Sequence, residues 1–181
     1  MSNETDADIL KEARDHMALV MVMESEIRAE RQKCARFRAL RQWSEADSIA
    51  RGSRPTLTID QIGQYVDQVV NDWRRNRLGI SVSPGDEKGD EEFARLIEGD
   101  IRQCEYMSKA QIAYDWAMEC MTALNAGFLQ VYTRRRPGTF KQDFWIGKIP
   151  NPDCVYMDQF CQEPDYSDQR ICLKTDKLSI Q

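Results

Sequence analysis

Apolar residues in the first part of this chain recur at helical rather than strand intervals. From about Asp6 to Trp43 the positions Leu10, Met17, Met21, Ile27, Cys34, Phe37 and Leu40 follow an imperfect helical period, uninterrupted by Gly or Pro. The pattern predicts a long helical run with a break near Ser25. Ser44 to Ser53 reads as a polar connection, closed by Gly52 and Pro55.

A second helix carries a sharper stripe. Ile59, Ile62, Val66, Val69, Val70 and Trp73 line one face, and Thr58 with Gln61 fits a capping box at its start. Arg74, Arg75 and Arg77 fall in its last turn, where positive charge complements the helix dipole. Leu78 to Ser83 alternates like a short strand and stops at Pro84-Gly85. Pro84 to Asp90 then reads as an exposed turn, with Asp90 as the next N-cap. Helical character returns from Glu91 to about Leu124, with Phe93, Leu96, Ile97, Ile101 and Cys104 on one face. Ser108 with Gln111 offers a second capping box inside that run, which predicts a kink or helix-turn-helix near Met107. Gly127 is placed to close it in the left-handed conformation.

Beyond Gly127 the pattern turns to strands. Phe128 to Thr133 and Thr139 to Ile149 read as a hairpin joined by the basic loop Arg134-Arg135-Arg136-Pro137-Gly138, until Pro150 and Pro152 interrupt it. Val155-Tyr156-Met157 and Arg170-Ile171-Cys172-Leu173 are further short strands. The expected class is α+β: long N-terminal helices followed by a small mixed or antiparallel sheet. A helical segment 1–53 is expected to precede an α/β region 54–181. The final residues Lys177 to Gln181 bring neither a polar tail nor a closing turn, which predicts an incomplete fold, cut in mid-structure.

Composition narrows the classes. The chain has 181 residues, 41% hydrophobic and 30% charged, which suits one domain with a modest core. No run approaches the roughly 18 apolar residues of a membrane span, and the acidic, polar start Met1 to Asp6 is unlike a signal peptide. The six cysteines form no C-x-x-C pair, and the single histidine, His16, lies far from them in sequence. Reduced thiols are therefore expected, with Cys104 and Cys120 as small apolar residues in helices.

Charge is unevenly spread around a net −5. Between residues 28 and 54, Arg28, Arg31, Lys33, Arg36, Arg38, Arg41, Arg51 and Arg54 outnumber Glu30, Glu45 and Asp47. Between 151 and 168 stand Asp153, Asp158, Glu163, Asp165 and Asp168 without a base. These runs read either as solvated faces or as complementary patches meeting between copies.

Catalytic chemistry finds no support. The acidic run could be imagined as a divalent-metal nuclease site, but Pro150, Pro152 and Pro164 make it a looped surface. No Ser or Cys has a base partner in sequence, His16 reads as a surface or packing residue, and no Gly-rich phosphate loop is present. No catalytic residue, cofactor or metal is expected. Arg134-Arg135-Arg136 reads as a solvated hairpin tip, with phosphate contact as the sharper alternative. Trp43, Trp73, Trp116 and Trp145 read as core or interface anchors, Trp73 being the preferred interface candidate.

Two blocks resemble a known family. One is Arg54-Pro55-Thr56-Leu57-Thr58, running into Gln68-Val69-Val70-Asn71-Asp72-Trp73-Arg74-Arg75-Asn76. The other is Asn151-Pro152-Asp153-Cys154-Val155-Tyr156-Met157-Asp158, continued by Glu163-Pro164-Asp165-Tyr166-Ser167-Asp168-Gln169-Arg170. Ala113-Tyr114-Asp115 and Gly127-Phe128 stand between them. In this order they resemble the N-terminal part of the portal proteins of short-tailed phages and their prophage relatives, over about Cys34 to Thr175. Asp60 stands where that family often has Asn, and Gln159 where a Pro is common.

The resemblance implies a portal wing-like α/β region and a ring of twelve copies at one capsid vertex, with host cytoplasm as the site of assembly. It also implies terminase, capsid and tail proteins as partners, and double-stranded DNA passing without sequence-specific contacts or catalysis. It singles out Arg54, Pro55, Gln68, Asn71, Asp72, Trp73, Arg74 and Asn76 on the first block as structural or interface residues. On the second block it singles out Asn151, Asp158, Asp165, Asp168 and Arg170. Two other readings stand beside it: a small helical nucleic-acid-binding protein using the basic 28–54 region, and a non-functional prophage remnant.

Overall fold

A computed structural model describes residues 6–77, 79–85, 90–136, 138–163 and 165–176. Its helices and short antiparallel strands make an α+β fold, organised as two compact units. One unit joins Met1–Cys34 to Asn151–Gln181, and the other is Ala35–Pro150.

The first unit begins with helix α1 (Asp6–Met23), followed by α2 (Ser25–Arg38), which runs past the unit boundary. The expected break falls at Glu24. It is mild, because Glu24 N–H still donates to the Val20 carbonyl and Arg28 N–H to that of Glu24, each at 2.8 Å. A short 3-10 turn (Pro152–Cys154) leads into strand β3 (Val155–Met157), which pairs antiparallel with β4 (Cys172–Lys174) and lies against α1. Val20 is fully buried, and Pro152, Val155 and Tyr156 are buried in the same unit. Most other apolar residues of α1, among them Ile9, Leu10, Met21 and Val22, remain exposed.

In the second unit α2 ends at Arg38 instead of continuing to Trp43, and Leu40 takes a left-handed φ of 58°. The polar connection expected over Ser44–Ser53 is instead largely helix: α3 (Glu45–Arg51) forms there. Ser44 Oγ accepts from Asp47 N–H, and Gly52 terminates the helix at φ 64°. Helices α4 (Gly63–Arg75), α5 (Glu91–Ser108) and α6 (Ala110–Leu124) follow. Strand β1 (Leu129–Arg135) then pairs with β2 (Gln142–Lys148) as a hairpin. α4 packs on α6, and β2 packs on both α5 and α6. Val66, Val70, Ala94, Ala110, Ala113, Cys120 and Ile149 are its buried apolar residues.

Several local expectations need correction. Thr58 and Gln61 do not cap α4; Asp60 Oδ1 accepts the Gly63 N–H at 2.7 Å instead. The absence of a side chain at Gly63 lets the carboxylate approach, since a Cβ there would lie 2.2 Å from Asp60 Oδ2 and push it aside. Ile59 and Ile62 precede the helix and stay exposed, so Val66 and Val70 carry its buried face. Ser108 caps nothing: its hydroxyl donates back to the Cys104 carbonyl at 2.6 Å, as the last residue of α5. Asp90 does cap α5, accepting from Glu92 N–H. Asn125, not Gly127, takes the left-handed conformation after α6. Arg134 and Arg135 belong to β1 rather than to the turn. The strands form two separate two-stranded sheets rather than one.

Among the described residues 79–83 no strand forms. Leu78 of that expected strand, residues 86–89 of the expected turn, Pro137, Pro164 and the chain ends 1–5 and 177–181 lie outside the described residues.

The corner between α5 and α6 turns on Lys109, at φ 52° and ψ 44°. Left-handed backbone crowds a Cβ by about 1–2 kcal/mol, whereas glycine's extra chain entropy costs about 0.5–1 kcal/mol. Lys109→Gly is therefore expected to raise stability by roughly 0.5 kcal/mol in urea unfolding. A clear loss would mean that the lysine side chain contributes more than its backbone strain costs.

Candidate functional site

The first block lies within the second unit. Arg54 and Pro55 are exposed, and the Pro55 carbonyl accepts from Arg51 Nε at 2.9 Å. Arg51 also stacks over the Trp43 ring, whose indole N–H donates to the Leu57 carbonyl. The extended entry to α4 is thus tied down by α3 and Trp43 rather than by its own side chains.

On α4 the polar residues divide between solvent and α6. Gln68 and Asp72 are exposed. Asn71 Oδ1 accepts from Arg74 Nη1 at 3.3 Å, and Asn76 ends the helix by donating its N–H to the Asp72 and Trp73 carbonyls. Arg74 and Arg77 converge on one carboxylate: Arg74 Nε reaches Asp115 Oδ2 at 3.0 Å, and Arg77 Nη2 reaches Asp115 Oδ1 at 2.7 Å. Arg38 bridges Asp67 and Glu119 in the same unit, and its hydrogen bond to Asp67 raises its pKa further. The structure therefore joins Arg74 to Asp115, 41 residues away in sequence.

Trp73 is half-buried. With Arg77, Gly79, Arg102, Tyr106, Lys109 and Ile112 it lines a cavity of about 620 Å³ among α4, α5 and α6. Glu105, Gln111 and Tyr114 complete its polar lining, with the Tyr114 hydroxyl donating to Glu105 Oε1 at 2.8 Å. Burial first, and that carboxylate second, push the Tyr114 pKa up to about 12. Trp73 Nε1 and Arg77 Nη1 are buried with no hydrogen-bond partner among the described residues.

The second block lies in the first unit, where its acids fasten the loop. Asn151 Oδ1 accepts from Asp153 N–H and caps the 3-10 turn. Asp158, only 7% exposed, accepts from Phe160 N–H at 3.0 Å and from Arg170 N–H at 3.4 Å. Asp165 accepts from Ser167 N–H, and Asp168 from Gln162 N–H at 2.7 Å. These carboxylates compensate backbone donors in a segment with little regular structure, as short Asp side chains do in turns. Among the described residues no group of His, Cys, Asp or Glu could hold a metal ion.

Hydrogen bonding, chiefly from Gln162 N–H, lowers the Asp168 pKa below its ordinary 3.8. The folded state thus favours the ionised form. Its stabilisation is present above the ordinary value and is lost as pH falls through the lowered one. In an acid titration followed by NMR, the Gln162 amide is expected to shift with a midpoint below 3.8. A midpoint at or above that value would contradict the bond.

Arg28 and Arg31 of the basic run hold this loop within the chain, rather than meeting a second copy. Arg28 Nε donates to Glu24 Oε2, Nη1 to the Asp153 carbonyl at 2.7 Å and Nη2 to the Val155 carbonyl at 3.0 Å. The same guanidinium lies over the Tyr156 ring, while Arg31 pairs with Asp153 at 2.6 Å. Gln159, the departure noted above, donates to Glu24 Oε1. So part of the basic run and part of the acidic run meet inside one chain. The only available sequence signal was the opposite sign of two distant segments. In the hairpin, Arg136 pairs with Asp143 and Arg134 stacks over Trp145.

A sequence model of phage P22-like portal proteins matches residues 14–181. No curated protein matches the chain.

Proposed function

Because this chain belongs to the phage P22-like portal protein family, matched over nearly its whole length, we propose that it is a structural subunit of the ring through which double-stranded DNA enters and leaves the capsid. Portal proteins of this family are structural components of the capsid vertex and take part in genome packaging. Within this reading, residues 54–181 supply a wing-like α/β region and 1–53 the helical segment before it. Twelve copies form the ring, assembled in the host cytoplasm, and the terminase and tail proteins dock on it. Catalysis has no part in this role.

The family match over 14–181 carries the reading. Side-chain use agrees with it. Arg28, Arg31, Arg38, Arg74 and Arg77 are engaged with carboxylates or carbonyls of their own unit, and the net charge is −5. A duplex that must slide is served better by such a surface than by free cations gripping phosphates. Apolar side chains left exposed on α4 and its entry, Ile59, Ile62, Tyr65 and Val69, suit a subunit that packs against others.

Disrupting the gene in its phage or prophage is the functional test. Capsids that assemble without DNA, refilled when the intact gene is supplied in trans, are expected. DNA-filled infectious particles made without the gene would overturn the reading.

A further inference from the structure

The second unit presents a knob and a hole. Phe140, in the turn between β1 and β2, is 99% exposed. The hole is the cavity among α4, α5 and α6, whose walls include Trp73, Tyr106, Ile112 and Tyr114. Its volume of about 620 Å³ is ample for an aromatic ring and the turn that carries it.

Their placement on α5 matters. Arg102, Glu105 and Tyr106 line the cavity and form one helical stripe, with Lys109 just beyond the helix end. Cys104, whose thiol donates to the Phe144 carbonyl, marks the face that packs on the hairpin. At 3.6 residues per turn, Cys104 lies about 150° around the helix from the centre of that stripe. Hairpin and cavity therefore occupy opposite faces of the same helix. A ring built from identical copies needs this kind of arrangement, with two different, complementary surfaces on each subunit.

We propose that the Phe140 ring of one copy seats in the α4–α5–α6 cavity of the next, as a head-to-tail contact repeated around the ring. The inference rests on the ring reading above and names the surfaces that make it. The chemistry of the lining suits an aromatic knob. Lys109 has no ion-pair partner among the described residues and can meet the face of the ring. Arg77 and Arg102 are neutralised by Asp115 and Glu98, so the lining does not repel the basic turn that carries Phe140 as a bare cationic patch would.

Sedimentation velocity on the protein as its gene encodes it tests this with Phe140→Asp, which removes the knob, and Ile112→Trp, which fills the hole. Circular dichroism checks that both variants fold. Each is expected to weaken self-association at least tenfold. Mixed together they are expected to form one-to-one dimers, since an intact knob then meets an intact hole once. Wild-type association that neither variant weakens, or a mixture that forms no dimers, would overturn the inference and leave the ring reading standing. A wild-type protein, as its gene encodes it, that stays monomeric at all concentrations would remove both.

Discussion

Replacing Gly127 by alanine is expected to destabilise the second unit by about 3 kcal/mol, at the upper end for overpacking a closed site. The glycine sits where the chain leaves α6 and turns back toward β1. A Cβ there would lie 1.9 Å from the Ala117 carbonyl oxygen, 2.8 Å from its carbon and 3.1 Å from the Met121 nitrogen. All three are backbone atoms of α6, so no side-chain rotation relieves the clash. Either the helix or the start of β1 must move. Moving β1 disturbs the whole hairpin register from Leu129↔Lys148 to Arg135↔Gln142. Urea unfolding measures the loss, and Gly99→Ala is the control. Gly99 lies within α5 with nothing within 4 Å of its added Cβ, so alanine there is expected to stabilise by about 0.5–1 kcal/mol. Equal effects at the two glycines would contradict the packing described.

Arg28→Met is expected to cost the first unit about 3 kcal/mol. The side chain is 12% exposed and satisfies the Glu24 carboxylate and the carbonyls of Asp153 and Val155 at once. Methionine keeps much of the volume but leaves two loop carbonyls and one oxygen of the Glu24 carboxylate without their donor. Arg28→Lys should recover only part of the loss, because one ammonium cannot reproduce a planar fork that also lies over Tyr156. Thermal unfolding of the three proteins at one pH separates these outcomes. Lysine performing as well as arginine would show that charge alone, not the fork, holds the loop to α2.

Comparing residues with structure shows which signals were local. The long helical run, the corner near Met107, the Asp90 cap and the β1–β2 hairpin were legible, because each is written in neighbouring residues. Capping boxes were less reliable guides. Thr58 with Gln61 and Ser108 with Gln111 satisfy the pattern, but Asp60 and the left-handed Lys109 end up defining those helix starts. Asp60 wins because Gly63, lacking a side chain, lets the carboxylate close on its N–H. Helix α3 was hidden by its polar composition, although Ser44 and Gly52 are cap residues at the right spacing.

The candidate site divides in the same way. Sequence blocks located Trp73, Arg74, Asp158 and Asp168, but not what they touch. Asp115 joining Arg74 and Arg77 spans about forty residues, and Arg28 meets the loop across more than a hundred. Such pairings depend on how elements pack, which periodicity does not encode. The cavity beside Trp73 is a product of packing in the same sense, since three separate helices make its walls.

Assembly is the central claim, and native mass spectrometry of the protein as its gene encodes it, purified from its host, tests it most directly. The account predicts a discrete closed oligomer with a mass near twelve times that of the subunit as its gene encodes it, falling to smaller species when Phe140 is replaced. That protein remaining a single monomeric species across the accessible concentration range would contradict it.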